Sequence, residues 1–280
     1  MHNRLHSYSV GRITNETAKG RGEIWLQQLS AGAARLPGLC PSVQVADGHV
    51  NGEAVRFIAV VPDADNHYPR ARQGEVGLLE GWTLAKVVSE TVAQDAKKAD
   101  KRPIIAVIDV ASQAYGRREE AFGIHQALAA AAGAYAEARL AGHVVIGLIV
   151  GKAMSGAFLA HGYQANRLIA FNDSGVLIHA MGKAAAARIT LRSVEALEKL
   201  AQTIPPMAYD IKNYHSLGLL EALLDIRQPD APDAADVAQV QQALTAAITA
   251  ARHDPGLQCR LKAENRRSSH TVRERMRQLW

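Results

Sequence analysis

Cysteine is scarce: Cys40 and Cys259 are the only two in 280 residues. They lie far apart, in no redox or metal-ligand spacing. That argues against a disulfide framework and fits a reduced, cytoplasmic protein. Aromatic side chains make up only 5% of the chain, which favours closely packed helices over an aromatic-lined pocket. No apolar run is long enough to span a bilayer. The first residues, MHNRLHSYSVGR, lack the apolar core of a signal peptide. Eleven histidines are present, yet none falls into H-E-x-x-H or H-x-E…C-x-x-C spacing, so no metal is expected. A G-x-G-x-x-G run after a strand is also missing. Gly151 to Gly156 opens like a phosphate loop but continues Ala157-Phe158 instead of Lys-Ser/Thr, which argues against nucleoside triphosphate chemistry.

What the chain does have is apolar bulk and an uneven charge. With 48% hydrophobic residues, alanine prominent among them, it can bury a sizeable core. The net charge is +5, and residues 251–280 carry all of it, with eight basic residues against three acidic ones. Such a tail suits an acidic partner or a phosphorylated ligand. It reads equally as a solvated helix face or a frayed terminus. Trp280 is its only aromatic residue, so the stacking platforms of a nucleic-acid binder are lacking.

The pattern divides the chain into a loosely held segment (1–22), a main domain (23–229), and a linker, helix and basic tail (230–280). A helix is expected over 23–29. Strands over 43–50 and 54–61 flank Asn51-Gly52, a hairpin signal. Helical spacing follows over 77–98, a buried strand over 103–109, and a long Ala-rich helix ending near 142. Strands at 167–171 and 176–179 precede helical stretches at 184–187, 193–202 and 205–217. A short strand follows at 221–226. Residues 237–251 read as the last regular helix. Strands alternating with helices give an α/β class with a mainly parallel sheet, whose ligand sites lie at strand carboxyl ends.

Residues 144–160, VVIGLIVGKAMSGAFLA, are the most informative. An apolar β-branched run stops at Gly151, a small-residue loop follows, and a buried helix begins. A sharp strand-to-helix turn leaves N–H groups unpaired and pointed at whatever anion sits there. This suits chemistry at a carbonyl or carboxylate. Ala153-Met154-Ser155-Gly156-Ala157 is also a relaxed nucleophile elbow, with Asp173 and His179 in triad order. Ser155 is equally a residue small enough for a tight turn. A second strand–loop–helix unit centres on Tyr115.

Three segments, IAVIDVASQAYGRREEAFGIHQAL, VVIGLIVGKAMSGAFLAHGYQANRLIAF and FNDSGVLIHAMGKAAAARI, carry a resemblance to the crotonase and acyl-CoA carboxyltransferase superfamily. Within it, the chain resembles the gamma-subunit family of biotin-independent malonate decarboxylases, from about residue 74 to 226. The resemblance implies an α/β crotonase-type (ClpP/crotonase) ββα spiral with a helical C-terminal extension. It implies one subunit of a heteromeric carboxy-lyase that converts a malonyl thioester on an acyl carrier protein to the acetyl thioester and CO2. The implied partners are a homologous beta subunit and the carrier, with no nucleic acid and no membrane. No cofactor is implied on this chain, and no biotin; the substrate rides on a CoA-like phosphoribosyl-dephospho-CoA arm. Backbone N–H groups at Tyr115, Gly116, Met154, Ser155 and Gly156 are the expected anion donors. Lys152, Lys183, Arg266 and Arg267 are the expected contacts to substrate or carrier. Alternatives are a serine hydrolase or thioesterase using Ser155, a stand-alone crotonase-like hydratase or hydrolase, and a non-catalytic scaffold subunit.

Overall fold

Apolar residues at intervals build the first strand, whereas the second, expected to alternate, is buried without a break from Val55 to Val60. The computed structural model describes residues 19–280, so most of the segment expected to be loosely held lies outside the described residues. β1 (Val43–Val50) and β2 (Glu53–Val60) pair antiparallel across Asn51-Gly52. Both turn residues have positive φ, 49° and 78°, the geometry whose twist matches a two-residue hairpin. The unbroken apolar runs form β3 (Ile104–Val110), β4 (Val145–Met154) and β5 (Arg167–Phe171), parallel to one another and buried. Strands covered on both faces need such uninterrupted runs. β7 (Ala222–Leu224) extends the sheet, whose order is β1-β2-β3-β4-β5-β7, and β6 (Ile178–His179) pairs with the far end of β4.

Two helix pairs cover the sheet. α2 (Leu78–Asp95) and α4 (Ile124–Leu140) pack together closely: a Cβ on Gly81 would stand 2.8 Å from the Ala127 backbone. Alanine on α4 permits that approach. α1 (Arg21–Leu29) and α9 (Ala234–His253) form the other pair. Trp25 of α1 is fully buried, stacks edge-on against Phe171 and donates its indole N–H to Pro229 O at 2.9 Å. Arg21 bridges Asp173 at 2.5 Å and Asp230 at 2.6 Å. The stretch 230–236, which reads as a linker, is therefore tied down at its start, and Asp233 caps α9 by accepting from the Asp236 N–H.

Three expectations need correction. The strand does not end where the apolar run stops at Gly151. β4 continues through Met154, because a register shift between Ile108 and Val110 lets it stay paired with β3 while it takes up β6. Gly151 makes the bend possible: a Cβ there would lie 2.2 Å from the Asp109 carboxylate. Second, the helix expected over 205–217 is broken. A single 3₁₀ turn covers Pro205–Met207, Ala208 to Asp210 run extended, and α8 (Ile211–Ser216) starts only where Asp210 caps it. Third, α9 is not the last helix; α10 (Arg267–Leu279) follows it. Among the described residues, no helix is long and apolar enough to cross a membrane, and no His/Cys/Asp/Glu cluster could hold a metal.

Candidate active site

The two strand-end units expected from the sequence come together. β3 ends in the loop 111–116 before α3 (Arg117–Ala121), and β4 turns directly into α5 (Ser155–Ala160). Gln113 joins them. Its backbone bridges to Val76, and its side-chain oxygen accepts the Gly156 N–H at 2.9 Å. Sequence reasoning gave Gln113 no role; its signal is a long polar side chain flanked by the small residues Ser112 and Ala114.

The strand-to-helix turn is sharper than a loop would allow. Ser155 sits at φ +60°, a region that costs a non-glycine residue about 1–2 kcal/mol. As the first residue of α5, Ser155 has an N–H with no intrahelical acceptor; the parallel pairing of Ala153 and Met154 with β6 turns it to the His179 carbonyl instead. α5 has only six residues, so its dipole adds little. The other expected donors divide. The Gly156 N–H is engaged by Gln113, and the Tyr115 N–H donates to Gln113 O at 2.8 Å. Met154 belongs to the strand and buries its side chain. Gly116 lies extended between Arg70 and Glu119, where a Cβ would come within 2.6 Å of Arg70 Nε.

A cavity of about 400 Å³ opens beside Ser155 and Gly156. Phe158, Leu159, Ile178, Pro205, Pro206 and Leu217 supply most of its wall, together with the rings of Tyr163 and Tyr214. No lysine, arginine, aspartate or glutamate lines it. Its one titratable imidazole is His179, which stacks on Tyr209 with ring centroids 3.9 Å apart. Burial pushes the His179 pKa below its ordinary value, partly offset by the bond between Nδ1 and Met181 O. His179 is therefore neutral at pH 7, and the cavity carries no formal charge.

The helical segment beyond β6 covers one side of this region. α6 (Lys183–Ile189) and α7 (Val194–Ala201) pack through a small cluster of their own, with Met154, Ala186, Leu197 and Tyr209 buried and Met181 and Met207 beside them. Of the expected basic contacts, Lys183 is bound to Glu198 at 2.7 Å and lies over the Tyr209 ring. Lys152 is exposed. Arg267 pairs with Glu264 at 2.8 Å, and Arg266 donates to Arg260 O. These four residues do not form one cluster. The hydrolase triad is not assembled either: Ser155 Oγ donates to Ala180 O at 2.8 Å, and Asp173 is held by Arg21.

The sequence profile of the malonate decarboxylase gamma subunit matches residues 71–280. A solved Pseudomonas malonate decarboxylase hetero-tetramer in complex with coenzyme A contains a chain 59% identical, with a TM-score of 0.90 over 93% of this chain and 99% of that one. The malonyl-S-ACP:biotin-protein carboxyltransferase of Malonomonas rubra is 34% identical over 189 residues, 66% of this chain and 65% of the relative. This chain thus spans somewhat less than two thirds of that relative's length. Transcarboxylase 12S, only 20% identical, superposes with a TM-score of 0.62 over 81% of this chain and 41% of that one. It shares the crotonase-type fold.

Proposed function

Because the chain belongs to the malonate decarboxylase gamma-subunit family, we propose that it serves as one subunit of a heteromeric carboxy-lyase acting on a malonyl thioester without biotin. The substrate arrives on an acyl carrier protein, as in the name of the Malonomonas relative, through a CoA-like arm. A homologous beta subunit completes the site; the related Pseudomonas chains are known as a hetero-dimer and a hetero-tetramer. The reduced cysteines fit a cytoplasmic setting.

One observation carries the reading: a cavity without formal charge beside the strand-to-helix turn at Ser155 and Gly156. A carboxylate brought there finds no counter-ion, and an unpaired charge in an apolar site is costly. Losing CO2 removes the charge from that position. The C–C bond breaks, its electron pair moves onto the thioester oxygen, and an enolate forms. Fixed N–H donors on such an oxygen lower the barrier by about 3–4 kcal/mol each. In this reading the beta subunit holds the thioester oxygen, while the Gly116 N–H and the apolar wall beside Ser155 position the departing carboxylate. The neutral His179 keeps the cavity from stabilising the carboxylate it must release. The carbanion finally takes a proton from water or an acid. The test is co-expression with the beta subunit and measurement of CO2 released from a malonyl thioester. Full turnover by this chain alone would overturn the shared-site reading, and no turnover by the pair would overturn the activity.

A further inference from the structure

The basic tail resolves into residues of two kinds. Arg252 is bound to Glu53, and Arg260 is buried, donating to the carbonyls of Tyr163 and Ala165. These two hold the fold together. The others lie at or beyond residue 262, and α10 has no buried residue at all. Arg277 pairs with Glu274 inside the helix, but Arg273 and Arg275 make no ion pair among the described residues. α10 is also apolar along one side. Val272, Met276 and Leu279 recur at i, i+4 and i+7, and Trp280 follows; each is more than half exposed. Residues at this spacing share one helix face. The helix is therefore an unpartnered apolar stripe set among positive charges.

The position of α10 is fixed at its root. Asn265 donates to Ser216 O at 3.2 Å, and Ala263 lies against Gly218. Ser216 ends α8, and its neighbours Tyr214 and Leu217 form part of the cavity wall. A protein held by α10 is thus held beside the cavity. The stripe is short. A stable subunit interface buries about 800 Å² per partner, and three side chains on one thirteen-residue helix, with Trp280 just beyond its end, fall well below that. A small, charge-steered contact suits a partner that must dock and leave at each turnover.

We propose that α10 is the docking helix for the acyl carrier protein, with Val272, Met276 and Leu279 seated in an apolar groove and Arg273 and Arg275 facing acidic residues around it. The proposal rests on the decarboxylase reading for the partner's identity. No residue of α10 lines the cavity, so the arm alone should be handled normally without it.

The experiment uses the complex of this chain with its beta subunit, in three forms: wild type, Arg273→Glu with Arg275→Glu, and Val272→Asp with Met276→Asp. Binding of a malonyl-loaded acyl carrier protein is titrated directly at low and high salt, and KM and kcat are measured for that carrier and for malonyl-CoA. Both double variants should weaken carrier binding and raise its KM at least tenfold at low salt. Their kcat, and their KM for malonyl-CoA, should stay within about twofold of wild type. High salt should narrow the deficit of the charge variant but not of the apolar one. Unchanged carrier binding in both variants overturns the docking role. So does dissociation of the beta subunit from the variants, or tight binding of wild type to anionic vesicles that the variants lose while carrier binding persists. Failure of wild type to turn over either thioester would overturn the decarboxylase reading instead, and the direct titration would still decide the docking.

Discussion

Ser155 combines a strained backbone with a hydroxyl used internally, and the two properties predict different outcomes. Ser155→Ala removes only the bond to Ala180 O. Activity should stay within about tenfold, a barrier change near 1.4 kcal/mol, because the backbone is untouched. Ser155→Val instead forces a β-branched side chain to φ +60°, so thermal denaturation should reveal a loss of about 1–3 kcal/mol. Total inactivity of a folded Ser155→Ala, or labelling of Ser155 itself by a fluorophosphonate in wild type, would revive the hydrolase. Gly156 leaves little room beside it: a Cβ there would stand 3.3 Å from Gln113 Oε1, the atom that accepts its N–H. Gln113 belongs beside it: Gln113→Leu leaves the Gly156 N–H unpaired, at a cost of about 1–3 kcal/mol. We expect kcat to fall more than tenfold in the assembled enzyme while circular dichroism stays unchanged.

At the scale of elements, His161 joins three of them. Its ring lies between the Tyr135 hydroxyl of α4, 3.0 Å from Nδ1, and the Val107 carbonyl of β3, 3.1 Å from Nε2. Full burial pushes its pKa down to about 4. Between pH 6.5 and that value the unfolded chain holds a proton that the folded one refuses, so stability falls as pH falls and levels off below it. The loss amounts to about 3 kcal/mol across the window. Urea unfolding of wild type against His161→Gln from pH 7 to 4 should show the slope flattened in the variant. Most elements were legible in sequence. β3, β4 and β5 announce themselves because strands buried on both faces are written as unbroken apolar runs. The extension of β4 past Gly151 was not, because it depends on Asp109, forty-two residues earlier, packing where a side chain is missing. α10 was hidden for the opposite reason. Its stripe has only three helical apolar positions among arginines, with no cap to mark its start. At the site, the positions of Ser155 and Gly156 were legible from local sequence. The link through Gln113 and the wall made by Tyr214 and Leu217 were not, because they arise from residues distant in the chain.

The whole molecule exposes apolar residues around the strand ends that carry the site: Tyr115, Phe122 and Leu159 are each more than half exposed. Single exposed apolar residues are ordinary, but several near one functional end mark an interaction surface. Phe122→Glu should therefore weaken co-purification with the beta subunit and lower activity at dilute protein, with the isolated chain as stable as before. Equal recovery of the pair by affinity purification would remove Phe122 from the interface. The segment beyond β6 raises a separate matter. Its packing onto the site relies on Met154, Met181 and Met207, outside the main core. Thioethers fill such gaps well, yet peroxide converts them to polar sulfoxides. Mild oxidation of a Met276→Leu variant, which removes the exposed thioether of α10, should therefore inactivate the enzyme before it unfolds it, with peptide mass spectrometry finding sulfoxide at Met181 and Met207 before Met154. A sulfoxide reductase should then restore activity, making the packing beside this cavity a point where oxidative damage is both concentrated and reversible.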